Sequence, residues 1–149
     1  MTPAYTPSHL GICVRNLERS MRFYCDGLGF EKKETFDVIA AFGPALEVAG
    51  DVAGTSQFVR RGGMRIELLA YQSPGTTGEP ARRRNQVGIT HLSFVVDDVD
   101  AAAKHLVACG GTLLPATRTG SDPAATQLVF VADPDGVRIE LMSNPAKLS

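Results

Sequence analysis

A chain of 149 residues, 44% hydrophobic and 21% charged, is long enough to bury a core and has neither a disordered nor a membrane composition. A formal net charge of −1 excludes the strongly basic face that nucleic acids and anionic membrane surfaces demand, which leaves small molecules as the expected partners. With no signal-peptide pattern and no apolar run of about 18 residues, the expected location is the cytoplasm.

Residues 8–14, SHLGICV, alternate as a strand does, and Asn16 follows as a helix cap. Leu17, Met21, Tyr24 and Leu28 then recur at helical spacing, and Gly27 and Gly29 end that helix. A strand is expected next, before residues 35–57, which carry little pattern. Residues 58–69, FVRRGGMRIELL, read as a hairpin turned at Gly62 and Gly63. Polar residues rich in Gly, Pro and Arg make 72–87 a linker.

The order then repeats. Residues 90–96, THLSFVV, form a strand, Asp98 caps a helix carried by Val99, Ala103 and Leu106, and Gly110 with Gly111 ends it. His105 falls on the exposed side of that helix and reads as a surface residue. After a weakly patterned stretch at 115–127, residues 130–142, FVADPDGVRIELM, form a second hairpin turned at Asp133-Pro134-Asp135-Gly136. The fold class is α+β, two βαβββ modules within a single domain over 1–149. Repeat 1 spans about 7–71, the linker about 72–87 and repeat 2 about 88–143. Cys13, Cys25 and Cys109 share no metal or redox spacing and are expected to be reduced and mostly buried.

Strand parity decides which side chains share a face, because alternate residues point the same way. His9 goes with Gly11 and Cys13, and His91 with Ser93 and Val95. Glu67 goes with Arg65, Leu69 and Tyr71, and Glu140 with Arg138 and Met142. Each half thus offers one His and one Glu on the concave side of a curved, mostly antiparallel sheet or half-barrel. Two imidazoles and two carboxylates, His9, Glu67, His91 and Glu140, suit one divalent metal ion, with nickel, cobalt, zinc, manganese and magnesium all open. In octahedral coordination two positions remain for two vicinal substrate oxygens, an arrangement that stabilises an enolate, and a ligand carboxylate that loosens, Glu67 or Glu140, is a candidate base. The competing reading pairs these acids structurally with Arg65 and Arg138.

At these residues the sequence resembles the vicinal oxygen chelate superfamily, which includes glyoxalase I, methylmalonyl-CoA epimerase, extradiol dioxygenases, and fosfomycin and bleomycin resistance proteins. The resemblance is most specific at HLGICVRNLERSMRFYCDGLGF (9–30), RIELL (65–69), GITHLSFVVDDVDAA (88–102) and FVADPDGVRIELM (130–142). The order His, Glu, His, Glu resembles glyoxalase I, but Cys13 and Tyr71 stand where its bacterial members carry an Arg and an Asn for glutathione. The stretch from RIELLAYQSP into GITHLSFVVDDV resembles methylmalonyl-CoA epimerase-like proteins. That likeness implies an acid from the first-half strands as a base, with Glu47 the nearest candidate; a solvent-facing carboxylate is the competing reading. Arg82, Arg83 and Arg84 are candidates for a CoA phosphate or else a solvated run.

The resemblance also implies a homodimer, its modules combined within one chain or exchanged between two. The expected function is a divalent-metal-dependent isomerase, epimerase or lyase that acts through a metal-stabilised enolate on a small acyl-thioester or 2-oxo-type substrate. An iron-dependent extradiol dioxygenase and a non-catalytic drug- or metabolite-binding resistance protein are the alternatives.

Overall fold

The structure, a computed structural model, describes residues 3–80, 83–120 and 125–143. Arg82 and part of the 115–127 stretch lie outside the described residues. The first module runs β1 (Leu10–Cys13), α1 (Leu17–Met21) continuing into a π-helical turn (Arg22–Gly27), and β2 (Glu31–Val38). A 3₁₀ turn (Ala40–Phe42) and the short helix α2 (Gly43–Leu46) follow, then β3 (Ala53–Arg61) and β4 (Met64–Ser73). The second module runs β5 (Leu92–Val95), α3 (Val99–Ala108), β6 (Thr112–Thr119), β7 (Gln127–Ala132) and β8 (Arg138–Ser143). Two βαβββ modules are present, as the repeat predicts. Each builds its own open four-stranded sheet, ordered β1-β4-β3-β2 and β5-β8-β7-β6, and neither closes into a barrel. Pairing is antiparallel except between the first and last strand of each module, which run parallel.

Packing divides the chain into two units, Met1–Glu18 with Gly29–Thr77, and Arg19–Leu28 with Gly78–Ser149. The first helix therefore belongs in large part to the second unit. Periodicity identifies an apolar stripe but not its partner. Within that unit Phe23 and Tyr24 are fully buried, and the Arg22 Nη2 donates to the Ala108 carbonyl at 2.8 Å. His105 is exposed, as expected of a surface residue, and its Nε2 meets the Asp26 carbonyl at 3.0 Å, a tie between the two helices. Gly27 lets them approach closely, since an added Cβ would lie 3.0 Å from Leu106 Cδ2 and 3.2 Å from Cys109 Cβ. The π turn, closed by Leu28 N–H to Phe23 O at 3.0 Å, shifts the phase of the stripe. Phe23, absent from the expected series, is buried while Met21 is only half-buried.

In the first unit, Ile12, Val14, Val59, Ile66 and Leu68 form the buried side of the sheet. Gln57 is buried with them. Its amide donates to the carbonyls of Lys33, Glu34 and Phe58 and accepts from the Thr35 hydroxyl, stitching the place where β2 slips register between Lys32 and Thr35. The second sheet has its irregularity on the equivalent strand, β6, between Leu114 and Thr119. There Thr117 Oγ1 donates to Leu114 O and accepts from Phe130 N–H, and Pro115 sits where it removes no ladder bond from a central strand. Helix α3 lies across this sheet, capped by Asp98 Oδ1 on the N–H groups of Asp100 and Ala101, both at 2.9 Å. The three thiols differ from the expectation of burial: Cys109 is buried and Cys25 half-buried, but Cys13 is exposed, because it shares the face of β1 that builds no core.

The second hairpin turn is held by Asp133, whose Oδ1 accepts from Asp135 N–H and Val137 N–H while Oδ2 accepts from the buried Tyr24 hydroxyl at 3.0 Å. Burial raises the Asp133 carboxyl above its ordinary value, against the hydrogen bonds that favour its charged form. Burial and then the Asp133 charge push the Tyr24 phenol well up. A carboxyl that binds its proton more readily when folded stabilises the fold fully below the unfolded pKa and loses that contribution as pH rises through the folded value. Asp133→Asn keeps the turn acceptor and removes the titration. The stability of the wild type relative to this variant, measured by urea unfolding, is expected to grow as pH falls from about 7 to about 4. Tyr24→Phe strips a buried carboxyl of one partner and is expected to cost about 1–3 kcal/mol.

Candidate functional site

In the first unit the parallel register sets Gly11 beside Glu67, and the antiparallel register sets Phe58 opposite Glu67. His9, one residue ahead of β1, therefore reaches Glu67 across the face that Gly11 leaves open. Its Nε2 lies 3.1 Å from Glu67 Oε2 and its Nδ1 lies 2.9 Å from Ser8 Oγ. The ring packs edge-on against Phe58, with centroids 5.1 Å apart. The other carboxylate oxygen of Glu67, Oε1, accepts from Ser56 Oγ at 2.5 Å.

The second unit repeats the arrangement. Ser93 lies beside Glu140 and Phe130 opposite it. His91 Nε2 lies 3.5 Å from Glu140 Oε2, Nδ1 lies 2.8 Å from Thr90 Oγ1, and the ring packs edge-on against Phe130 at 5.4 Å. Both histidine side chains are about a third exposed, at 35% and 34%, whereas Glu67 and Glu140 are 19% and 12% exposed. The imidazoles are thus reachable from solvent and the acids are set below them.

A hydroxyl both donates and accepts, so Ser8 and Thr90 satisfy either tautomer of their neighbouring rings. With the hydroxyl accepting from Nδ1–H, the Nε2 lone pair is left for a metal. Each unit then offers one nitrogen and one carboxylate donor. Among the described residues no three His, Cys, Asp or Glu side chains cluster to hold a metal ion; each half-site is a pair. An imidazole nitrogen and a carboxylate are donors of the kind that suit a divalent ion of borderline or hard character.

The halves are not identical. Leu128 occupies on β7 the place that Ser56 occupies on β3, facing Met142 as Ser56 faces Leu69. Glu67 is pinned at both oxygens, whereas Glu140 has no tether like that from Ser56: its Oε2 faces His91 at 3.5 Å and the Arg84 charge acts on it from farther off. Arginines stack on both phenyl rings at 4.1 Å, Arg65 on Phe58 and Arg84 on Phe130. Arg65 gives its ion pair to Glu34 at 3.1 Å, not to Glu67 as the competing structural reading has it. Tyr71 lies on the Glu67 face; burial first, then Cys13 and Glu67, raises its phenol, which keeps it a neutral O–H donor.

Glu47 lies on no strand. It is exposed at the end of α2 with a left-handed φ of 55°, and among the described residues it makes no ion pair with His9. Sequence reasoning passed over Ser8, Thr90, Ser56, Phe58 and Phe130. Four of these were visible as a second layer of the repeat: a hydroxyl residue before each histidine and a Phe opening each hairpin motif. Ser56 had no such signal.

Residues 6–141 match the Glyoxalase/Bleomycin resistance protein/Dioxygenase superfamily. The chain is 32% identical to the uncharacterized protein YaeR of Escherichia coli (strain K12), over 89% of this chain and 92% of that one. It is 30% identical to a 2-epi-5-epi-valiolone epimerase of an Actinomyces species, over 93% of this chain and 79% of the epimerase. Among solved structures, a glyoxalase family protein from Bacillus cereus superposes with a TM-score of 0.79 at 19% identity, covering 95% of both chains. Twin βαβββ modules, twin His–Glu pairs at matching offsets and a match along nearly the whole length lead to one conclusion: the chain belongs to the glyoxalase/bleomycin resistance protein/dioxygenase superfamily, the vicinal oxygen chelate proteins.

Proposed function

We propose that this protein is a divalent-metal-dependent isomerase, epimerase or glyoxalase-type lyase acting on a small acyl-thioester or 2-oxo-type substrate, with His9, Glu67, His91 and Glu140 as the metal ligands. The observation that carries the reading is the twofold occurrence of an imidazole whose Nε2 faces a carboxylate while a hydroxyl holds its Nδ1. The half-sites combine within one chain or between the two copies of a homodimer. A divalent ion, when bound, supplies electrophilic stabilisation for negative charge developing on a substrate oxygen. The relative named as an epimerase supports chemistry at a carbon next to a carbonyl. Four protein donors argue against the extradiol alternative, whose two-His, one-carboxylate pattern leaves more positions open.

The chain's own groups divide the work by their tethers. Ser56 fixes Glu67 through Oε1, so Glu67 stays in place as a ligand. Glu140, without such a tether, is the carboxylate that moves to take the proton from substrate carbon, and its 12% exposure keeps water from competing for it. Tyr71, a neutral donor on the Glu67 face, orients a substrate oxygen. Glu47, exposed beyond the strands, is assigned no step.

Metal analysis after incubation with nickel, cobalt, zinc, manganese or magnesium and exhaustive dialysis is expected to find one ion per set of four ligands. Loss of that ion is expected in His9→Ala and in His91→Ala. A protein that stays metal-free with all five metals would sink the proposal. Ser56→Ala, which frees Glu67, is expected to weaken metal affinity about 10–100-fold by calorimetry. In deuterated water, Glu140→Gln is expected to stop deuterium entering acyl-CoA thioesters, whereas Glu47→Gln leaves exchange unchanged; continued exchange in the Glu140 variant removes Glu140 as the base.

A further inference from the structure

The stacked arginines of the two units differ in what neutralises them. Arg65, on Phe58, donates Nη2 to the Glu34 carboxylate at 3.1 Å. Arg84, on Phe130, donates Nη1 to the Thr90 backbone carbonyl at 3.1 Å, and among the described residues it has no carboxylate within ion-pair distance. Its position is nonetheless specific. Phe130 is the ring against which His91 packs, and Thr90 is the residue whose hydroxyl holds His91 Nδ1. Out of an arginine run in a linker, one member is therefore drawn onto the face that carries the His91–Glu140 pair.

A guanidinium carries five N–H donors in a planar fork, and stacking on an aromatic ring fixes the plane of that fork while leaving its edges available. One edge is used by Thr90. The other donors face a surrounding in which burial and then the charge of Arg138 lower the Arg84 pKa, with Glu140 opposing. The other arginines with described partners are spent on the fold: Arg118 holds Asp100, Gln127 and two carbonyls, and Arg19, Arg22 and Arg60 hold the carbonyls of Pro134, Ala108 and Gly62. Among the described arginines, Arg84 combines a ring-fixed plane with a place beside the His91–Glu140 pair, and Glu140 acts on its charge from beyond ion-pair distance.

We propose that Arg84 is the anion-recognition residue of this protein, taking a carboxylate or phosphate group of the substrate in a forked hydrogen bond beside His91 and Glu140. The inference rests on the reading of that pair as part of the reaction site, and it narrows the substrate to an anion. A single ring, Phe130, touches both Arg84 and His91, and Glu140 acts on the Arg84 charge, which places the guanidinium in the neighbourhood of the pair. Arg65 differs in that the Glu34 carboxylate already pairs with its charge through Nη2.

Full-chain protein labelled with ¹⁵N, read at the arginine side-chain Nε–H signals and titrated with inorganic phosphate and separately with acetate, tests the proposal. A saturable shift of the Arg84 signal, together with the His91 and Phe130 ring signals, is expected, while the Arg65 signal stays in place. Tighter response to phosphate assigns a phosphorylated substrate, and tighter response to acetate a carboxylate. Arg84→Lys, which keeps the charge and loses the fork, is expected to weaken the anion about ten- to a hundredfold, and Arg84→Ala to abolish the response. Equal shifts at Arg65 and Arg84, or none at Arg84, overturn the proposal, and this comparison within the wild type holds even if a variant folds poorly. Metal content measured on the same samples separates the two readings. Metal uptake with a silent Arg84 sinks the anion site alone; a responsive Arg84 in protein that takes no metal supports the anion site and sinks the metal reading.

Discussion

The parallel pairing of the first strand of each module with its last is the constraint on which the rest depends. A parallel pair cannot be closed by a tight turn, so a crossover must intervene, and the helix with two further strands provides it. The register that results, Gly11 beside Glu67 and Ser93 beside Glu140, brings a residue from the start of the module next to one some fifty positions later. A slip of one residue would turn each glutamate to the side occupied by Ile66 and Leu68 or by Ile139 and Leu141, where an unpaired carboxylate is costly. The apolar neighbours therefore lock the register that the polar pair needs. Core and site are two faces of one alignment.

That alignment also explains which features were legible in the sequence. Alternation fixed the parity of His9, Glu67, His91 and Glu140, and repetition tied the halves together, so the His–Glu pairs could be read before any coordinates. The turn at Asp133 and the cap at Asp98 were legible for a simpler reason: both act on backbone groups within a few residues. What escaped was set by partners distant in sequence. The first helix presents an apolar stripe whichever unit receives it, and the extra residue of the π turn moved Phe23 into that stripe. The tether from Ser56 to Glu67 depends on β3 register, and the stacking of Arg84 on Phe130 on the path of a linker with no period of its own.

Duplication of a module gives two His–Glu pairs in matching positions, and the pairs differ in their surroundings. Ser56 against Leu128 makes one glutamate rigid and leaves the other with a single polar contact. Glu34 is ion-paired with Arg65, whereas Arg84 donates to a backbone carbonyl and feels Glu140 only from beyond ion-pair distance. In both comparisons the first unit holds the satisfied member. A reaction site needs both kinds of group, since fixed donors set geometry while mobile or unneutralised ones respond to substrate. These differences lie in side chains on sheets of the same strand order.

The energetic consequence follows from where the stability resides. The buried side of the first sheet, with Val14, Val59, Ile66 and Leu68, and the α3 side of the second, with Val131, Ile139 and Leu141, bury the apolar area that favours folding. On the opposite faces His9, Cys13, Tyr71, His91 and Val95 are exposed or half-buried, although Phe58 and Ser56 are buried there. Substitutions at the exposed positions of those faces cost the fold little, whereas substitutions at buried positions change stability. A scaffold so divided can carry the different reactions named in its superfamily, and for the same reason the fold alone does not name the substrate.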